Sequence, residues 1–165
     1  MEKTFLNTKG ELADRLLAAL LAGQDKGGDS RGKQSAAILI VKEKAGYGGF
    51  TDRAIDIRVD DHPEPFQEIA RLLLLAKVNY AWNEAWTLFT TKNYEKAINP
   101  MEKAARLPPE NPELLYDLAI LRLASGNKAG ALDAIKKAIK LNPKLKKQAS
   151  EDDDLLKLRS EPEFN

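Results

Sequence analysis

Leu12, Leu16, Leu17, Leu20 and Leu21 recur three and four positions apart, the spacing of one helical face. Thr8, Lys9, Gly10 and Glu11 stand before them as a capping-box pattern, and Gly23 supplies a stop, so a helix is predicted over 8–22. Residues 24–34 carry Gly27, Gly28 and Gly32 among polar neighbours and read as a loop, because fixing glycine costs the most backbone entropy. Residues 35–42 contain Ala36, Ala37, Ile38, Leu39, Ile40 and Val41, a short apolar run expected to be a strand covered on both sides. After the break at Gly46, Tyr47, Gly48 and Gly49, the residues Ile55, Ile57 and Val59 alternate with Asp56, Arg58 and Asp60, as in a half-buried strand. The two strands make one β-hairpin. Pro63 and Pro65 then suit a helix start. Ile69, Leu72, Leu73, Val78, Trp82, Ala85, Trp86 and Phe89 keep a helical rhythm over roughly 25 residues, about 38 Å. This is one long helix or two in line. The fold class expected is α+β, a helix, a β-hairpin and a helix, followed by an all-α array. The domains are placed at 1–64 and 65–165.

The array shows a repeat. Pro109 set over Pro143 gives an offset of 34 residues, and at that offset Ala85 meets Ala119, Ala97 meets Ala131, Ala104 meets Ala138 and Met101 meets Ile135. Antiparallel helices approach closely only where side chains are small, with a bulky apolar residue filling the space one turn away. Over residues 78–145 this pattern resembles two consecutive tetratricopeptide hairpins. The first copy departs from the family pattern at Glu84, Lys92 and Pro100, and Pro100 is expected to kink its helix at a cost of about 3 kcal/mol. Asp154, Leu155, Leu156 and Leu158 look like a final cap. The resemblance implies that the first helix of each pair lines a concave groove, with Asn79, Trp82, Trp86 and Phe89, then Glu113, Tyr116, Ile120 and Leu123, as the matching positions for binding a protein or peptide. The basic residues that clamp a terminal carboxylate in some members are absent. The alternative is that the aromatic residues are core, packed against the α+β part.

Composition narrows the chemistry. In 165 residues, 26 Lys and Arg balance 25 Asp and Glu for a net charge of +1, which offers no field for nucleic acid or an anionic membrane. There is no cysteine and a single histidine, His62, so no disulfide, thiolate nucleophile or zinc site is expected, nor any metal or cofactor. The early apolar run at 16–22 is too short to span a membrane, and a cytoplasmic protein is expected. Gly27, Gly32 and Lys33 nearly spell a phosphate-binding loop. However, Gln34 replaces the hydroxyl residue, and a helix precedes and a strand follows, the reverse of what such a loop needs.

Gly28-Asp29-Ser30-Arg31-Gly32-Lys33-Gln34-Ser35-Ala36-Ala37, Gly46-Tyr47-Gly48-Gly49 and Asp56-Ile57-Arg58-Val59-Asp60-Asp61-His62-Pro63 together resemble the second half of an uncharacterised domain family related to N-terminal-nucleophile hydrolases. The resemblance covers residues 5–75 and implies a layered α-β-β-α fold. Met1 and Glu2 offer no Ser, Thr or Cys nucleophile, and Thr4 and Thr8 lack a processing site, so the chain alone is expected not to be a catalyst. Asp29, Arg31 and Gln34 are the candidate polar site residues, against the alternative of a local ion pair and a strand cap. Asp60, Asp61 and His62 are read as a cation site, against the alternative that the two adjacent acids cap the following helix. A lone hairpin is marginal in water, so a homo-oligomer joined through the hairpin edges is expected. The functional reading is a non-catalytic protein-interaction module. The alternative is a subunit or fragment of an amide-bond hydrolase whose nucleophile half lies elsewhere.

Overall fold

The computed structural model describes residues 2–23, 35–41, 53–107, 110–159 and 161. They fall into two compact units, Met1–Ala76 and Lys77–Asn165. The class is α+β with an array of tetratricopeptide-like helices.

In the first unit, helix α1 (Glu2–Gly23) precedes the antiparallel strands β1 (Ala36–Val41) and β2 (Arg53–Val59), and the opening turns of helix α2 (Pro65–Thr90) follow. The register sets Ala36 opposite Val59, Ile38 opposite Ile57 and Ile40 opposite Ile55, so these six side chains share one face. Ala13 and Leu17 of α1, Ile38 and Ile40 of β1, Val59 of β2, and Ile69 and Leu73 of α2 bury together. Three expectations are corrected here. The helix starts at Glu2, ahead of the Thr8 pattern. Its buried face is centred on Ala13 and Leu17, with Leu12 and Leu16 exposed, because the small Ala13 permits close approach. And β1 is covered on one face only: Leu39 is 51% exposed on the other. Before α2, Asp61 takes a left-handed φ of 53°, and the ring nitrogen Nδ1 of His62 accepts the backbone N–H of Glu64 at 3.1 Å. His62 therefore acts as a cap, satisfying one of the amides left free at a helix start.

In the second unit, the remainder of α2 is followed by α3 (Tyr94–Ala105), α4 (Pro112–Ala124), α5 (Lys128–Leu141), α6 (Leu145–Glu151) and a 3-10 helix, Asp153–Leu158. Its core gathers Ala81, Ala85, Ala97, Met101, Ala104, Ala119, Leu121, Ala131, Ile135 and Ala138 with Leu145, Leu155 and Leu158. The small residues that coincide at the 34-residue offset are thus the ones at which the helices meet. Lys92 (φ 59°) and Gly126 (φ 87°) are also one offset apart and make the same left-handed turn between paired helices. Pro100 sits buried within α3, which continues through it. Asn111 and Asn127 cap α4 and α5 by accepting the N–H of Glu113 and Gly130, each at 2.9 Å. Glu102 of α3 accepts from Arg122 of α4 at 2.7 Å and from Arg106 at 2.9 Å, while Arg122 also donates to the carbonyl of Gly130 at 3.0 Å. One arginine thereby ties three helices.

Candidate protein-interaction face

The aromatic residues of α2 form a continuous ladder. Trp82 and Trp86 lie with ring centroids 6.1 Å apart at 61°, Trp86 and Phe89 at 5.0 Å and 78°, and Phe89 and Tyr94 of α3 at 5.3 Å. Edge-to-face pairs of this kind contribute about 1 kcal/mol each beyond burial. Trp86 and Phe89 are half-buried against the core of the second unit, so they serve packing there. Trp82 stands at the outer end, 36% exposed, and Asn79 one turn earlier is exposed.

Trp82 is held rather than loose. Its Nε1 donates to Oδ2 of Asp117 on α4 at 2.6 Å, a short bond to a carboxylate. Burial raises the pKa of Asp117, assisted by Glu113 and Asp152, while the indole N–H groups of Trp82 and Trp86 oppose the rise. Trp86 Nε1, itself buried, lies near enough to favour the charged carboxylate but makes no hydrogen bond of good geometry.

Of the positions read from spacing on α4, Glu113 is exposed, but Tyr116 and Ile120 are only 2% and 6% exposed. Tyr116 turns into the core, where its hydroxyl donates to Oδ2 of Asp152 at 2.7 Å, in the segment joining α6 to the 3-10 helix. Burial and that neighbouring carboxylate both raise the phenol pKa. Leu123 is buried as well. The resemblance placed these residues in the groove by position alone, and their burial removes them from an open surface. Asp29, Arg31 and Gln34 lie outside the described residues, as does Pro109.

Two residues on this face, Asp117 and Asp152, escaped the sequence reading. The signal was present: Trp82 to Asp117 is a separation of 35 residues and Tyr116 to Asp152 one of 36, each close to the repeat period. First helices of successive repeats stand side by side, so a polar group about one period from an aromatic is its neighbour. Among the described residues no group of His, Cys, Asp and Glu is arranged to hold a metal ion, and no helix is long and apolar enough to cross a membrane.

The human protein named "Protein IFIT1 homolog B" is 44% identical over 70 residues, which cover 36% of this chain and 15% of that protein. The chain thus spans a small part of that relative's length. No solved structure matches it. Residues 1–69 match a family of unknown function (DUF1028), and residues 88–150 match the tetratricopeptide repeat family, in that order along the chain.

Proposed function

We propose that the helical array is a docking platform for a protein or peptide, presented on the α2 and α4 face that carries Asn79, Trp82, Glu113 and Asp117. The observation that carries this reading is the state of Trp82, a large aromatic partly open to water yet fixed in orientation by Asp117. Rigid aromatic anchors give contact area at low entropic cost, which is why they dominate binding energetics. Residues 65–165 form the binding module and residues 1–64 an α+β module that joins copies of the chain through its hairpin edges. The near-zero net charge supports a partner other than nucleic acid, and the absence of cysteine fits a cytoplasmic setting.

The test uses the full chain as bait with Trp82→Ala beside it. The expected result is a partner retained by the parent chain and released by the variant, with helical content unchanged and stability lowered only by the lost ring contact and the bond to Asp117. Equal retention by both would count against this face.

A further inference from the structure

The two strands of the hairpin differ in how their outer edges are defended. Among the described residues each strand has one hydrogen-bonded neighbour, so each has an open edge. An open edge is a template for further pairing unless charge, proline or a bulge blunts it. β2, Arg-Ala-Ile-Asp-Ile-Arg-Val, has such defences: Asp56 and Arg58 pair at 3.0 Å on its exposed face, and the register slips between Ile40 and Val41, where Arg53 and Ile55 are the partners and Ala54 is the extra residue. β1, Ala-Ala-Ile-Leu-Ile-Val, has no charge, no proline and no extra residue. It is apolar on both faces, as interior strands are.

The geometry points to a second copy of the chain as the occupant: β1 pairs with β1 of the partner, antiparallel about a two-fold axis through Leu39, making a four-stranded sheet. This rests on the oligomer reading above and narrows it to one edge and one register. Opposed residues in an antiparallel pair point to the same face. Ile38 and Ile40 are buried while Ala37 and Leu39 are exposed, so only registers pairing like with like keep the helix-covered faces on one side. Centring on Leu39 sets Ile38 against Ile40 of the other copy and Ala37 against Val41. It also brings the two exposed leucines into contact with each other. Within the strand the opposed pairs, from Ala37 with Val41 to Leu39 with itself, are uncharged, and the segment 37–41 is complementary to itself, as an isologous interface requires.

The chain lacks cysteine, so Leu39→Cys would introduce a single thiol into the full-length protein. On the axis, two such thiols come within disulfide reach, whereas Ala37→Cys places them several residues apart, beyond it. The expected results are a dimeric mass by light scattering, oxidative cross-linking of Leu39→Cys but not of Ala37→Cys, and a halved mass for Leu39→Lys with unchanged helical content. A dimer in which Leu39→Cys stays uncross-linked and Leu39→Lys remains dimeric would overturn the β1 edge while leaving the oligomer reading intact. A monomer at high micromolar concentration would overturn both.

Discussion

The two helical hairpins of the second unit share a plan and differ in how well their residues suit it. At the left-handed turn the second hairpin has Gly126 where the first has Lys92. At a buried position of the second helix it has Ala134 where the first has Pro100. At the helix start Asn127 accepts the N–H of Gly130, whereas Asn93 of the first makes no side-chain cap. In the facing helix the second buries Leu118 where the first has a half-buried Glu84. Each difference costs the first hairpin backbone strain, a hydrogen bond or buried apolar surface. Both still fold to the same turn and the same alanine contacts, which shows that the small-residue pattern outweighs these local penalties. Propensity and capping set the margin; close approach at Ala85, Ala97, Ala119 and Ala131 sets the architecture.

That comparison can be tested by making each hairpin resemble the other. The largest effect is expected from truncating the shared bulky position. Ile135→Ala and Met101→Ala, both fully buried in the parent, should each cost about 3 kcal/mol in chemical denaturation. A much smaller loss for Met101 would mean the first hairpin is loosely packed. Next, Pro100→Ala restores the missing backbone donor within α3, offset in part by the lost burial of the ring. A net gain of about 1–2 kcal/mol is expected in the same assay. At the turn, Lys92→Gly should stabilise by about 1 kcal/mol and Gly126→Ala should destabilise by a similar amount. A Cβ at Gly126 meets nothing within 4 Å, so the cost there is purely conformational. Asn127→Ala should cost about 1 kcal/mol through the lost cap, with Asn93→Ala costing a fraction of that.

The smallest effect concerns Asp117, whose counterpart one offset earlier is Asn83. The folded protein holds the Asp117 proton more tightly than the unfolded chain does, so this residue's contribution favours folding at low pH. That contribution is lost as pH rises through the raised folded value. The melting temperature of the parent relative to Asp117→Asn should therefore improve as pH falls from neutrality toward 3.8, the ordinary aspartate value. A difference that is flat with pH would mean Asp117 is solvated.

Much of this array was legible in the sequence because its determinants repeat. The 34-residue offset identified the alanine contacts, and it also paired Lys92 with Gly126, although the sequence marked Lys92 only as a departure. The hairpin of β1 and β2 followed from alternation in Ile55, Ile57 and Val59. What stayed hidden depends on contacts that periodicity does not carry. Ala13, rather than Leu12 or Leu16, leads the buried face of α1 because a neighbour comes close, and an isolated amphipathic pattern favours the larger side chains. Tyr116 was read as open because a groove position says nothing of the segment beyond α6, where Asp152 accepts its hydroxyl. His62 as a cap was unforeseen because imidazole is a rare acceptor at a helix start, and the adjacent Asp60 and Asp61 suggested the usual carboxylate.

The bond from Tyr116 to Asp152 makes the end of the array observable by optical means. A phenol that keeps its proton in alkali while the cap is docked releases it once the cap departs, so tyrosinate absorbance becomes a clock for the terminal segment. In a rapid jump to high pH, the amplitude contributed by Tyr116 should appear with the lifetime of the docked cap rather than with the speed of proton transfer. Shortening that lifetime by Asp152→Ala would then identify the last helical turns as the first to leave.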